Sequence, residues 1–170
     1  MNHVLARWNR LSAEEAAREI AACCGSTAWA RKVAERRPLK DEASLLAASD
    51  EIWRGLEIPD WMEAFSKHPR IGERKPPQPA AAKSLAWSEE EQRKVGGAGD
   101  SVRLALEEGN REYERRFQRV FIVCATGKSG PEILEILNRR QQNDEATELQ
   151  EAVEEQRKIV NIRLKKWILE

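Results

Sequence analysis

Apolar residues recur at helical spacing through most of the chain, with polar residues between them. Ser12 and Glu15 form a capping-box pattern, which predicts a helix that runs to about Gly25. Ser26 and Asp41 are suited to cap the next two helices. This part of the chain is therefore predicted to consist of helices joined by short turns.

The helical pattern stops at residues 68–83, which read HPRIGERKPPQPAAAK. This stretch contains four prolines and one glycine, and its apolar residues follow no helical period. Its composition predicts an irregular loop. Loops of this length inside a compact domain are often functional.

Helical patterning returns in the second half of the chain. Ser88 and Glu91 form another capping-box pattern, which predicts that a short helix opens at this point. A further helix is expected from about Ser101 to Phe117. Ser129 and Asp144 are suited to cap the last two helices.

Only the segment VFIVCA, residues 120–125, resembles a strand. A lone strand cannot form a sheet, so we expect an extended connector that is buried between helices. The pattern predicts an all-α fold, a single compact multi-helix bundle with no significant sheet, over a single domain at residues 1–170. Helix content is predicted to exceed about 60 %.

Charge and composition argue against several classes of function, although a local basic patch stays possible. Lys and Arg total 29 and Asp and Glu total 29, so no basic excess favours binding to nucleic acid or to an anionic membrane. The three cysteines are typical of a reduced intracellular protein. We find no signal-peptide pattern, no apolar run long enough to span a bilayer and no C-terminal peroxisomal signal, so the expected location is the cytoplasm.

The sequence does not support a phosphate-binding loop, a metal site or a reactive cysteine. The Gly127-Lys128-Ser129 sequence after an apolar segment imitates a phosphate-binding loop, but Ile122 occupies the position of the required first glycine. The chain has two histidines and no metal-binding HExxH or CxxC pattern. Cys124 lies in an apolar run, which favours a buried and unreactive thiol.

His68 is the most informative residue for chemistry. It follows a short predicted helix and opens the irregular loop, directly before Pro69. Imidazole titrates near neutral pH and therefore suits proton transfer. Taken alone, however, a loop histidine is more often structural or incidental than catalytic.

Several blocks together resemble a known family. The segment HPRIGERK at 68–75 is similar to the signature of the 2-oxo-4-hydroxy-4-carboxy-5-ureidoimidazoline (OHCU) decarboxylases. The resemblance covers nearly the whole chain in one order, and it includes CCGSTAWARKVAERRPL at 23–39, DWMEAFSKHPRIG at 60–72, SEEEQ at 88–92, and the segments 110–144 and 154–167.

The resemblance implies a function. It implies an all-α fold and, commonly, a homodimer. The implied activity is the third step from urate to allantoin, with the small molecule OHCU as substrate. It implies neither a metal nor an organic cofactor.

The resemblance also implies catalytic residues. His68 is expected to be the main acid/base and Glu91 to orient the substrate or assist protonation. The stretch 75–83 is longer than expected, which leaves the adjacent Glu89 and Glu90 as alternatives to Glu91. Glu91 could also serve as the partner of Ser88 in the predicted capping box.

The remaining expected site residues bind the substrate. Pro69 is expected to form a rigid wall, and Arg163 to grip a carboxylate or ureido oxygen. Ser88 and Gln92 are weaker candidates. Backbone groups are expected to contact the ring along one segment, namely Phe121, Ile122, Val123, Cys124 and Ala125.

Two other classes of function stay open at this point. A helical interaction module would use its six tryptophans on a partner surface. A different small-molecule lyase or hydrolase could use the same scaffold. Turnover of OHCU distinguishes both from the decarboxylase.

Overall fold

The computed structural model describes residues 2–73 and 75–170. It is 65 % helical, and no strand occurs in the described residues, so the predicted all-α class is confirmed. Those residues form α1 His3–Trp8, α2 Ala13–Ile20, α3 Thr27–Glu35, α4 Glu42–Arg54, α5 Ile58–Ser66, α6 Ala82–Glu91, α7 Asp100–Phe117, α8 Gly130–Arg140 and α9 Glu145–Trp167, with a 3₁₀ turn at Val95–Gly97.

Most predicted helix starts are confirmed. The capping box of Ser12 and Glu15 opens α2, and Ser26 and Asp41 cap α3 and α4. Asp144 accepts the backbone N–H of Thr147 at the start of α9 at 2.8 Å. The predicted end of the first of these helices near Gly25 is wrong, because α2 ends at Ile20 and residues 21–23 form a turn.

The predicted helix start at Ser88 is also wrong. α6 already begins at Ala82 and Ser88 lies inside it, so Glu91 occupies the last turn rather than the first. Ala81 occupies the N-cap position and makes no side-chain cap hydrogen bond. Alanine favours helix strongly, and Ala82 forms the first residue of α6, six residues upstream of the serine.

The chain divides into two compact units, residues 2–64 with 157–170 and residues 65–73 with 75–156. The first unit is built around buried tryptophans. Trp8 and Trp167 meet edge to face with ring centroids 5.6 Å apart. The indole N–H groups of Trp8, Trp29 and Trp61 donate to protein oxygens, so these large side chains are buried with their polar atoms satisfied.

The second unit has its own core, to which α7 and α8 contribute. Tyr113, Phe117 and Phe121 form an aromatic group in it, with ring centroids 4.8 and 5.2 Å from Tyr113. Gly109 on α7 lets α8 approach closely, since a Cβ at this position would lie 2.6 Å from a methyl group of Leu137.

Burial of the tryptophans argues against the interaction-module alternative. All six are at most 8 % exposed, so none is available for a partner surface. Cys23, Cys24 and Cys124 are buried free thiols. Within the described residues, none of the helices combines the length and the apolar character needed to cross a bilayer.

Candidate active site

His68 lies in the turn directly after α5, within the second unit. Its side chain is buried, with 9 % of the residue exposed, and its backbone N–H donates to the carbonyl of Phe65 at 3.1 Å. Pro69 is buried beside it in sequence. The predicted acid/base is therefore removed from bulk water and held by the end of a helix.

The first part of the loop is tied to two helices. The backbone N–H of Gly72 donates to the side-chain oxygen of Gln92 at 2.9 Å, and Asn110 donates to the carbonyl of Ile71 at 3.1 Å. Arg70 pairs with Glu114 on α7 at 2.8 Å. These contacts hold the backbone that follows His68 against α7 and the end of α6.

The later part of the loop returns to the end of α5. The backbone N–H of Gln78 donates to the carbonyl of Ser66 at 3.0 Å, and Lys67 donates to the carbonyl of Pro79 at 3.1 Å. The predicted loop at 68–83 is confirmed for the described residues up to 81, where α6 follows. Residue 74 lies outside the described residues.

One face of α6 is buried. Ser84 and Ser88 are 8 % and 4 % exposed, and Glu91 follows on the same face at helical spacing. Glu91 is half-buried, whereas Glu89 and Glu90 are exposed. Among the three adjacent glutamates, this geometry favours Glu91 as the site residue.

The segment 121–125, hereafter the connector, is buried throughout, with no residue more than 7 % exposed. Phe121, Val123 and Ala125 pack into the core of the second unit. Alternate residues that share one side are typical of an extended backbone. The predicted buried connector is therefore supported.

Charged side chains hold the connector backbone at two residues. Arg140 donates to the carbonyl of Ile122 at 2.5 Å. The backbone N–H of Cys124 donates to Glu155 at 2.8 Å, and Lys128 donates to the carbonyl of Cys124 at 2.8 Å.

Val123 lies between these two residues. Within residues 2–73 and 75–170, its backbone N–H and C=O have no protein hydrogen-bond partner. Buried backbone groups are nearly always paired, so this unpaired donor and acceptor are candidates for hydrogen bonds to a ligand or water.

Electrostatics link α6 to the connector. Burial raises the pKa of the Cys124 thiol, Lys128 opposes the rise, and the carboxylates of Glu155 and Glu91 add to it. Glu91 therefore lies within electrostatic range of the connector. The burial of the Cys124 thiol is as predicted, and its raised pKa favours the protonated, poorly nucleophilic form.

Arg163 lies in the first unit, on α9, and is 1 % exposed. Burial raises the pKa of Cys24 to about 12, and the positive charge of Arg163 opposes this rise. Its role toward a ligand stays a prediction.

Pro69 and Gln92 also line an open cavity of about 690 Å³ in the second unit. Glu89, the predicted alternative to Glu91, lines the same cavity, and the lining residues that were not predicted include Leu85 and Val95. No group of His, Cys, Asp and Glu side chains within residues 2–73 and 75–170 is arranged to hold a metal ion.

Sequence reasoning missed the polar residues that support the connector: Tyr113, Lys128, Arg140, Glu148 and Glu155. A signal was present for Glu148 and Glu155, which lie four residues before and three residues after the buried Ala152 on α9. A carboxylate on a buried helix face requires a partner.

Comparison with known proteins gives consistent results. The chain is 33 % identical over 146 residues to the uric acid degradation bifunctional protein TTL of Arabidopsis thaliana, which covers 85 % of this chain and 44 % of that protein. It is 27 % identical over 165 residues to the uric acid degradation bifunctional protein of Bacillus sp. (strain TB-90), which covers 94 % of this chain and 31 % of that protein. The chain therefore spans less than half the length of these curated relatives.

Solved structures share the fold. An OHCU decarboxylase crystallised in the presence of (S)-allantoin superposes with a TM-score of 0.77 at 30 % identity, covering 89 % of this chain and 98 % of that one. An (S)-allantoin synthase superposes with a TM-score of 0.72 at 16 % identity over 96 % of this chain and 53 % of that one, which shows similarity of fold alone. The family model described as OHCU decarboxylase matches residues 9–165, so the chain belongs to the OHCU decarboxylase family.

Proposed function

We propose that this protein is a carboxy-lyase that decarboxylates OHCU to (S)-allantoin in uric acid degradation. One observation carries the proposal: the chain aligns over 98 % of an OHCU decarboxylase that was solved with (S)-allantoin. Family membership over residues 9–165 supports the same reaction.

The substrate itself can accept the electrons that decarboxylation releases. When the bond between ring carbon C4 and the carboxylate breaks, its electron pair moves into the C4–C5 bond and the pair of the neighbouring imine moves to the ring nitrogen. The nitrogen takes a proton, the C4 hydroxyl then loses its proton to become a carbonyl, and C5 gains a proton. The protein therefore needs to hold the ring, move protons and exclude water, and we expect it to need no cofactor.

His68 is the proposed main acid/base. It polarises the C4 hydroxyl as the carboxylate leaves, or deprotonates that hydroxyl afterwards so that the carbonyl forms. Its burial and its fixed position at the end of α5 support this role, because proton transfer requires a positioned group in a water-poor site.

Glu91 is the second proposed catalytic residue. It orients the ureido group or assists protonation of C5. Its half-buried position at the end of α6, with its charge in range of the connector, supports Glu91 over the exposed Glu89 and Glu90.

The connector is the proposed binding edge for the ring. The unpaired N–H and C=O of Val123 match the acceptor and donor of a urea-like edge, while Pro69 supplies a rigid wall. Ser88, on the buried face of α6, and Gln92 are proposed to line the same site. Phe121, Ile122, Cys124 and Ala125 complete the connector.

Arg163 is proposed to grip a carboxylate or ureido oxygen with its guanidinium group. Arg163→Lys keeps the positive charge and loses the two-pronged geometry. We therefore expect KM to rise more than kcat falls.

The assembly and location of the protein are further proposals. We propose a homodimer of single-domain chains over residues 1–170, located in the cytoplasm and bound to neither nucleic acid nor membrane. The balanced charge supports the last point.

The proposed function is tested by supplying OHCU as it forms. Urate is mixed with uricase and hydroxyisourate hydrolase, with or without this protein, and allantoin is followed by circular dichroism. Spontaneous decay protonates C5 from either face and gives a racemate, so the expected result is faster appearance of one enantiomer. Unchanged kinetics, or faster loss of OHCU with no optical activity, contradicts the proposal.

A further inference from the structure

We infer that Arg140 and Glu148 are positioning residues of the proposed site, because this buried ion pair fixes the connector so that the peptide groups of Val123 stay available to the substrate. The inference rests on the proposed function. Neither residue is among those expected to touch the substrate.

Arg140 contacts the connector at two consecutive residues. One terminal nitrogen donates to the carbonyl of Ile122 at 2.5 Å, and the guanidinium lies over the ring of Phe121, 4.6 Å from its centroid. The side chain of Arg140 is 1 % exposed. It therefore restrains both the backbone and a side chain at the start of the connector.

Glu148 in turn fixes the guanidinium. Its Oε1 accepts from Nε and Nη2 of Arg140 at 2.9 and 2.5 Å, and its own side chain is 0 % exposed. Tyr113 donates its hydroxyl to the same oxygen at 2.6 Å, and Asn143 donates to the other at 3.0 Å. With both carboxylate oxygens occupied, Arg140 is held in one orientation.

Tyr113 keeps its donating proton over the working pH range. Burial and the neighbouring carboxylate of Glu148 raise the pKa of the Tyr113 hydroxyl. Its ring also contacts Phe121 edge to face, with centroids 5.2 Å apart. Tyr113 therefore supports both the ion pair and the connector.

Stability alone is a weak reason for such a pair. Removing two charges from water is costly, and well-packed apolar residues often stabilise a core as well as a buried ion pair does. What apolar residues cannot provide is a directed donor to the Ile122 carbonyl. The geometry therefore points to positioning of the connector.

A second restraint lies on the other side of Val123. Glu155 accepts the backbone N–H of Cys124, and Lys128 donates to its carbonyl, both at 2.8 Å. Val123 is thus held between two fixed residues. Because a misplacement of about 1 Å can cost a hundredfold in rate, loss of the Arg140 restraint should affect substrate binding and orientation.

The test compares Arg140→Lys with Arg139→Lys as a matched control. Arg139 is the adjacent arginine, 59 % exposed, and it pairs with Glu151 at the surface. Lysine at 140 keeps the charge but cannot form the same set of directed hydrogen bonds. KM for OHCU and the enantiomeric excess of allantoin are measured for both variants together with the melting temperature.

We expect Arg140→Lys to raise KM about tenfold, the effect of losing one hydrogen bond to a charged group, and to lower the enantiomeric excess, while Arg139→Lys matches the wild type. A purely structural role would lower the folded fraction without changing KM or the enantiomeric excess. That result, or identical behaviour of the two variants, overturns the inference.

If Arg140→Lys fails to fold, Tyr113→Phe decides the question, because it removes a single hydrogen bond to Glu148. We expect a smaller change in KM and enantiomeric excess in the same direction, and no change in either overturns the inference. Wild-type protein that does not turn over OHCU contradicts the proposed function itself. Wild-type turnover with unaffected variants contradicts the inference alone.

Discussion

Gln92 joins the two parts of the chain that carry the proposed catalytic residues. It directly follows α6, whose last residue is Glu91, and its side-chain oxygen accepts the backbone N–H of Gly72 in the loop that begins at His68. Gln92→Leu removes this acceptor and keeps a side chain of similar bulk. The loop should then lose one of its restraints against α6.

The expected magnitude follows from this single bond. A neutral hydrogen bond contributes about 0.5–1.5 kcal/mol net. A loss of about 1 kcal/mol from the productive loop conformation lowers the equilibrium constant for that conformation about fivefold, and kcat/KM falls by up to that factor. The same loss lowers the melting temperature by about 2–4 °C for a chain of this size. Gly72, which donates this hydrogen bond, has a φ of 89°, a backbone conformation that favours glycine over residues with a side chain.

The assay compares kcat/KM for OHCU and the melting temperature of wild type, Gln92→Leu and Gln78→Leu. Gln78 is a matched loop control, since its side chain is exposed and its backbone N–H makes the bond to Ser66. We expect Gln78→Leu to match the wild type. Wild-type activity in Gln92→Leu refutes the reasoning. A loss above a hundredfold without a change in stability also refutes it, because the main role of Gln92 would then be direct contact with the substrate in the site it is proposed to line, and not restraint of the loop.

Three further predictions concern other parts of the molecule. Burial raises the pKa of Cys24 to about 12 and also raises that of Cys124. These two thiols should therefore react with a thiol reagent at pH 8 only after denaturation. Fast labelling of either thiol in the native protein contradicts this prediction. Gln156 is fully buried, and both of its amide atoms lack a partner among the described residues. Gln156→Met should therefore leave the free energy of unfolding unchanged or raise it by about 1 kcal/mol. Gln150→Met, on the exposed face, serves as control. If urea unfolding shows that Gln156→Met lowers the free energy of unfolding by more than about 1 kcal/mol, the amide is needed. Exhaustive chelation should leave the rate of OHCU decarboxylation unchanged, and activity that returns only with added metal contradicts the cofactor-free mechanism.

Much of the fold could be predicted because helix starts are local. Ser12, Ser26 and Asp41 cap their helices through hydrogen bonds to residues three positions ahead, which the sequence displays directly. Ser88 and Glu91 show the limit of this reasoning. These two residues have the spacing of a capping box, but they lie inside α6. Ser84 and Ser88 are buried on one face of this helix, which begins six residues before Ser88.

Some features of the proposed site could also be predicted from the sequence, and others could not. His68 and Glu91 could be proposed because they lie in contiguous segments that resemble a family signature. The sequence could not show that Arg140 reaches the carbonyl of Ile122, or that Glu155 reaches the N–H of Cys124, because these contacts join residues 18 and 31 positions apart. The unpaired peptide groups of Val123 depend on those contacts and so required the structure.

The most direct test of the account is the kinetics of His68→Asn, with His3→Asn as the matched control. Asparagine keeps some hydrogen bonding but cannot exchange a proton near neutral pH, and loss of a positioned acid/base typically costs about 10²- to 10⁴-fold in rate. His3 is the only other histidine and is exposed in α1. We predict a fall of that order in kcat for His68→Asn, with a melting temperature close to that of the wild type and full activity in His3→Asn. If His68→Asn instead unfolds and its activity follows the folded fraction, His68 is a structural residue and the proposed mechanism is wrong.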